Sequence, residues 1–82
     1  MNNRTRILNT LKEQIAKETR QPVSDIPDDA SFYSLGLDSI SSIFILDELE
    51  KILGISMNPM FFWDYPTVES LADHINSLTR DE

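Results

Sequence analysis

Ser39 is the side chain with the clearest chemical use in this sequence, because it lies in the run LGLDSI at residues 35–40. Gly36 suits a tight turn, and Asp38 suits the N-cap of a following helix. Ser39 is therefore expected at a helix start, exposed at the end of a long loop. Free amides and a partial positive charge at such a start favour a phosphate group. The residues alone allow two interpretations: a serine that carries a phosphodiester, or a plain helix cap.

Other patterns that could support a reaction are absent from the sequence. The chain has no cysteine and one histidine, and its two glycines, Gly36 and Gly54, do not form a phosphate-binding loop. Asp28 and Asp29 are adjacent, which is not the spacing of a catalytic carboxylate pair. His74 lies beside an apolar stripe and is expected to be a surface or boundary residue. The sequence therefore predicts no catalytic residue and no metal site.

Helical periodicity predicts the elements that must position this serine. Apolar residues recur at spacings of three and four over about residues 3–19 and 39–53, and again after Thr67. Asn58 is a suitable cap for an additional short helix. The expected fold is all-α. It is a four-helix bundle of three longer helices plus one short helix, with a long first loop over residues 20–38.

The predicted core lies on the apolar faces of the three longer helices. Its members are Leu8, Leu11, Ile15, Ile45, Leu49, Ile52, Leu71 and Ile75. The long loop carries five apolar side chains that are expected to pin it to this core: Val23, Ile26, Phe32, Leu35 and Leu37. Aromatic residues are so dense over 60–65 that most of them are also expected to be buried.

The second helix carries a further apolar face at its beginning. Ile40, Ile43 and Phe44 lie on the side where Asp47 and Lys51 follow, and those charged groups require water. Exposed apolar groups often mark a partner site. Ile43 is expected to pack under the long loop, whereas Ile40 could pack there or stay exposed. Phe44 is the best candidate for a partner contact, and the predicted partner surface consists of Ile40, Phe44 and Asp47.

Length and charge limit the number of domains and the classes of partner. The 82 residues allow one domain, residues 1–82, and the net charge of −7 argues against nucleic acid or an anionic membrane as a partner. The longest apolar run has four residues, so we expect a cytoplasmic protein. Residues 1–20 hold five basic and two acidic side chains, and residues 21–82 hold two and twelve. Either the first helix packs against the acidic remainder, or the acidic part meets basic partners.

The motifs of this chain resemble those of carrier proteins. LGLDSI is similar to the phosphopantetheine attachment signature, and the resemblance extends from PDDASFYSLGLDS to GIS and FFWDYPTVESLADHI, which covers most of the chain. The last stretch is similar to the FDYPT-type motif and final helix of polyketide synthase carriers. The chain thus resembles the acyl carrier protein family, and within it the polyketide synthase type.

The resemblance implies a function without catalysis. Ser39 would carry a covalent 4′-phosphopantetheine, added from coenzyme A by a magnesium-dependent phosphopantetheinyl transferase, and Asp38 would help to present the serine. The thiol of the arm would hold acyl or polyketide intermediates as thioesters, which fits the absence of cysteine. The implied protein is a monomer that delivers its cargo to ketosynthases, acyltransferases or related polyketide and fatty-acid enzymes.

Some residues depart from the patterns of related carriers. Fatty-acid carriers typically place acidic residues just after the modified serine, whereas this chain has Phe44 at such a position and no acid before Asp47. Peptidyl carriers more often have GGDS and EHPT, where this chain has LGLDS and WDYPT. Two alternatives stay open: an unmodified helical interaction domain, and a peptidyl carrier of nonribosomal peptide synthesis. The chain fits a discrete carrier as well as a domain of a larger synthase.

Overall fold

The computed structural model describes residues 3–79, which form four α-helices and no strand. The helices are α1 (Asn3–Thr19), α2 (Ser39–Leu53), α3 (Phe61–Asp64) and α4 (Val68–Thr79), with a short 3₁₀ helix at Val23–Asp25. The predicted all-α fold and its one short helix are confirmed. Within the described range, no helix has the length and apolar character needed to cross a membrane.

Two helix ends follow from local hydrogen bonds. Gly54 ends α2 in the left-handed conformation, at φ 70°, and its N–H donates to the Glu50 carbonyl over 2.8 Å. At the start of α4, the Thr67 hydroxyl accepts from the Ser70 N–H over 3.2 Å. The Ser70 hydroxyl in turn accepts from the Thr67 N–H over 3.1 Å. This reciprocal pair makes Thr67 the cap of the last helix.

The short helix α3 begins later than its predicted cap implies. The Asn58 carboxamide oxygen accepts from the Met60 N–H over 2.9 Å, and this bond closes a turn rather than starting a helix. Helical residues start only at Phe61, so the predicted cap at Asn58 was wrong. Asn58 and Pro59 together favour the turn, because the Asn side chain bonds to a nearby backbone group in place of a helical one.

The core forms where α1 packs against α2 and α4. Its buried apolar side chains are Ile7, Leu8, Leu11, Ile15, Ile26, Phe32, Ile45, Leu46, Leu49, Met57, Val68, Leu71, Ala72 and Ile75. This set confirms every predicted core member except Ile52, which is 44% exposed. The buried stripe of α2 runs through Ser42, Ile45, Leu46 and Leu49, and Ile52 lies at its edge in the last turn.

The long loop is pinned to the core at its middle but not at its start. Ile26 and Phe32 are buried, and Leu35 and Leu37 pack partly against the core. Val23 is exposed, so the expectation that it anchors the loop was wrong. It lies in the 3₁₀ turn, before the chain reaches the core. Backbone bonds add to the anchoring, with the Phe32 N–H donating to the Pro66 carbonyl over 2.9 Å.

The aromatic run is less buried than its composition predicts. Phe61, Phe62 and Tyr65 pack partly against the core, whereas Met60 and Trp63 are exposed. A helix of four residues has one inner side, and side chains on its other side have no neighbour to cover them. The expectation that most of this run is buried was therefore wrong for Met60 and Trp63.

The basic side of α1 pairs with acidic groups on the rest of the chain. Arg4 forms a hydrogen-bonded ion pair with Asp73 and lies 3.9 Å from a Glu69 carboxylate oxygen, and Lys12 pairs with Asp28. The hydrogen bond with Asp73, and then the charge of that carboxylate, raise the pKa of Arg4 above its ordinary value. The interpretation that the charges of α1 are used in packing is thus supported for these two cations.

Leu49→Ala should destabilise the domain by about 2–5 kcal/mol, because Leu49 is fully buried and the change leaves a cavity. The free energy of unfolding from urea titration measures this loss. Ile52→Ala is the matched control on the same helix, with an expected loss of only about 0.5 kcal/mol, near that of a surface substitution. Equal losses in the two variants would contradict the assigned faces of α2.

Candidate functional site

Ser39 is the first residue of α2, and its side chain is exposed. Asp38 precedes it in extended conformation, at φ −99° and ψ −178°, and caps the helix. The Asp38 Oδ1 atom accepts from the Ser41 N–H over 2.8 Å, and its carbonyl accepts from the Ser42 N–H over 2.9 Å. The predicted cap and helix start are confirmed, and the serine hydroxyl is held where the chain leaves the loop.

The same cap determines the charge state of Asp38. The hydrogen bond from the Ser41 backbone amide, and then that from the Ser41 hydroxyl, lower the pKa of Asp38 below its ordinary value of 3.8. The carboxylate is thus ionised at neutral pH and is a weak base. His74, the one histidine of the chain, stacks on the Tyr65 ring with centroids 4.1 Å apart. Ser39 therefore has a charged neighbour in Asp38, but that carboxylate is not a strong base.

A tight turn brings the loop to the helix start. Gly36 has φ 82°, a value that side chains disfavour, although a Cβ there would meet open space. Its N–H donates to the Tyr33 carbonyl over 3.0 Å, and the Leu37 N–H donates to the Phe32 carbonyl over 3.2 Å. The buried Phe32 ring fixes this turn to the core. The position of Ser39 is therefore set from both sides, by the turn and by the helix.

An apolar groove of about 390 Å³ lies beside Ser39. Its lining residues come from the loop, α2 and the α3 region: Ser31, Phe32, Tyr33, Leu37, Asp38, Ser39, Ser42, Ile43, Pro59, Phe62, Trp63 and Pro66. The Phe32 and Phe62 rings meet edge to face with centroids 4.4 Å apart. A group attached to Ser39 would lie at the edge of this groove.

The predicted partner surface is exposed along α2. Ile40 is 66% exposed and Phe44 is 58% exposed. Asp47 is also exposed, and its carboxylate lies 3.5 Å from the Lys51 ammonium. Ile43 is also exposed, so the expectation that it packs under the long loop was wrong. The loop turns away at Gly36 and leaves Ile43 on the groove wall.

Tyr33 and Trp63 are groove residues that the sequence did not point to. Both are largely exposed, and both lie on the same groove as Ser39. Helical periodicity could not place Trp63, because α3 has only four residues. Tyr33 lies in a turn, where side-chain direction depends on the tertiary path of the loop. No group of His, Cys, Asp or Glu within residues 3–79 has an arrangement that could hold a metal ion.

Comparisons with known proteins agree on one family. Residues 9–75 match the family model described as "Phosphopantetheine attachment site". The chain is 34% identical over 68 residues to the non-reducing polyketide synthase PKS1 of Zymoseptoria tritici, covering 83% of this chain and 3% of that protein. It is 40% identical over 68 residues to the non-reducing polyketide synthase hmp3 of Hypomyces subiculosus, covering 82% of this chain and 3% of that protein. The chain thus spans only a small part of the curated relatives it matches.

A solved structure of nearly the same length has the same fold. It is a free-standing peptidyl carrier protein from a secondary metabolic pathway of Acinetobacter baumannii, with a TM-score of 0.91 and 30% sequence identity. The match covers 98% of this chain and 100% of that chain. The HMG-ACPI domain of the CurA module from Lyngbya majuscula is 28% identical, with a TM-score of 0.85, over 95% of this chain and 79% of that chain.

Removing the charge of Asp38 should change how stability depends on pH. Because the folded-state pKa of Asp38 is lowered, its stabilisation is complete above the ordinary value of 3.8 and is lost as the pH falls below it. Asp38→Asn keeps a capping oxygen without the titration, whereas Asp38→Ala removes both. Urea midpoints from pH 7 to pH 2 should therefore fall less steeply for Asp38→Asn than for the wild type. Parallel curves would contradict the capping bond to the carboxylate.

Proposed function

The chain belongs to the phosphopantetheine attachment-site family, and on that premise we propose that Ser39 is the residue that bears the arm. As a carrier domain of the polyketide synthase type, the chain tethers intermediates on phosphopantetheine and is itself non-catalytic. The observation that carries the assignment is the position of Ser39. Its exposed hydroxyl is the first group of a capped helix, at the edge of an apolar groove.

The residues around Ser39 fit a phosphopantetheine group. The beginning of α2 favours a phosphate, and the Asp38 carboxylate at this end accepts a hydrogen bond from the Ser41 amide. The adjoining groove is apolar enough to lie against an extended organic chain. When bound, the group supplies the thiol on which acyl intermediates are held as thioesters, and this chain has no cysteine of its own.

Modification requires a second protein in this proposal. The Ser39 hydroxyl loses its proton and its oxygen forms the phosphodiester, while the nucleotide half of coenzyme A leaves. Asp38 has a lowered pKa and is therefore a poor acceptor for that proton. The phosphopantetheinyl transferase must supply both the base and the magnesium ion, and Asp38 acts as a charged contact that presents the serine.

Partner enzymes are proposed to bind the exposed start of α2. Ketosynthases, acyltransferases or related enzymes would contact Ile40 and Phe44, and Asp47 with the other acidic groups would steer encounter. The chain is proposed to work as a single monomeric carrier domain. A cytoplasmic location stays a prediction, to be checked by fractionation.

A peptidyl carrier is the second candidate, because the free-standing carrier from Acinetobacter baumannii with the same fold is named as one. Loading assays distinguish the two functions. The modified chain should accept acyl groups from polyketide acyltransferases and ketosynthases faster than aminoacyl groups from adenylation domains. The opposite preference would favour the peptidyl carrier.

Ser39→Ala should abolish modification while leaving the fold intact, since the side chain is exposed. Intact mass after incubation with coenzyme A and a promiscuous phosphopantetheinyl transferase measures the outcome. Ser56→Ala, at an exposed serine just after α2, is the matched control and should gain the full mass of the arm. A mass gain in Ser39→Ala would refute the assignment. A wild type that gains no mass would favour the unmodified interaction domain.

Phe44→Ala should slow acyl transfer to a partner enzyme by about tenfold or more, the range of a central aromatic contact. Transferase modification and thermal stability should stay near the wild type, because Phe44 is exposed. Acyl transfer is measured with a panel of polyketide ketosynthases. The ketosynthase that accepts the acyl group fastest from the wild type is then used for both variants. Ile52→Ala, an exposed apolar change at the other end of α2, is the control. Unfolding of Phe44→Ala, or equal rates for both variants, would contradict the contact.

A further inference from the structure

Two exposed aromatic rings lie on the groove that also holds Ser39. Tyr33 is 92% exposed and Trp63 74%, so burial in the core does not explain either ring. They come from different parts of the chain, the turn before α2 and the short helix α3. Phe44 is an exposed aromatic residue as well, but it does not line the groove. The groove therefore combines two open aromatic faces with an attachment point.

The walls of the groove favour flat, uncharged groups. Phe32 and Phe62 line it with two rings that meet edge to face, and Pro59 and Pro66 add rigid apolar surface. Asp38 is the one charged residue among the lining residues, and its carboxylate accepts from the Ser41 amide. Aromatic rings bind each other through stacked or edge-to-face contacts in addition to burial. A planar group could use those contacts, whereas a straight chain could use burial alone.

Weak contacts with the groove are sufficient to hold a group that is already linked to Ser39. A group linked to Ser39 stays near the groove, so its effective concentration there is high and little further translational freedom is lost on binding. The remaining cost is the ordering of rotatable bonds within the bound group. A rigid ring has few such bonds, and a straight acyl chain with the same number of carbons has many.

We propose that this groove binds planar aromatic acyl groups carried on the arm of Ser39, and that Trp63 and Tyr33 distinguish them from straight-chain acyl groups. The proposal rests on the proposed attachment at Ser39 and adds the class of cargo. Trp63 supplies the larger ring face, and Tyr33 lies on the same groove. The bound state shields the cargo and covers both rings, which are open to water in the chain by itself.

The single tryptophan of the chain reports directly on the groove. Three forms are compared: the arm without cargo, the arm with naphthoyl, and the arm with the straight acyl group of the same carbon number, both linked as stable amides. The indole N–H resonance of Trp63 should shift with naphthoyl and stay near the cargo-free position with the straight chain. Quenching of Trp63 by acrylamide should fall about twofold or more with naphthoyl only.

A second measurement does not use tryptophan as the reporter, so it can compare variants of Trp63 with the wild type. The rate at which hydroxylamine cleaves the thioester should be about twofold to tenfold slower for naphthoyl in the wild type than in Trp63→Leu, the factor expected of one aromatic contact. Trp63→Phe should restore part of the protection, and Tyr33→Leu should lose part of it. Phe44→Leu, an exposed aromatic change outside the groove, is the matched control and should protect like the wild type.

The outcomes separate this proposal from the attachment itself. Intact mass first shows whether Ser39 is loaded, and a failure there overturns the proposed function. With loading shown, equal responses to the two cargoes overturn the selectivity for planar groups. A full response with the cargo-free arm means that the arm itself fills the groove, which also overturns it. Protection that is lost equally in Trp63→Leu and Phe44→Leu would show that the effect is not specific to the groove, which also overturns the proposal.

Discussion

The hydrogen bond between the Ser41 amide and the Asp38 carboxylate determines how the rest of the site is arranged. It fixes the residue at which α2 begins, and a helix rotates by about 100° for each residue. In the helix that begins there, Leu49 lies on the buried face and Phe44 on the exposed one. The same bond lowers the pKa of Asp38 and leaves Ser39 as the first exposed side chain of the helix. One capping interaction thus connects the core, the charge of Asp38 and the proposed attachment point.

The long loop has to satisfy a different constraint, because it must be fixed without covering the start of α2. Burial of Ile26 and Phe32 fixes its path, and the bond between the Phe32 N–H and the Pro66 carbonyl joins it to the segment before α4. Gly36 then turns the chain in a conformation that other residues disfavour. As a consequence the Ser39 side chain stays exposed to solvent while the loop before it is held by the core.

The sequence predicted most of what depends on helical period and capping chemistry. Those signals are local, and they placed Asp38, Ser39 and the buried faces of the longer helices correctly. Most of the errors, with the cap at Asn58 as the exception, fall where the outcome depends on packing between distant segments. Val23 and Ile52 are apolar residues at the edges of elements, where a small rotation decides between core and water. Trp63 belongs to a helix too short to show a period, so its exposure follows only from how α3 lies on the domain.

The contacts that hold α3 on the domain also determine one wall of the groove. This helix has a single turn, and aromatic contacts hold it in place: the Phe62 ring meets Phe32, and His74 packs between Tyr65 and Phe61. His74 therefore has a structural use, although a lone histidine attracts attention as a candidate for catalysis. The α3 wall of the groove thus depends on contacts between rings, whereas the opposite wall, which carries Ser39, is fixed by the cap of α2.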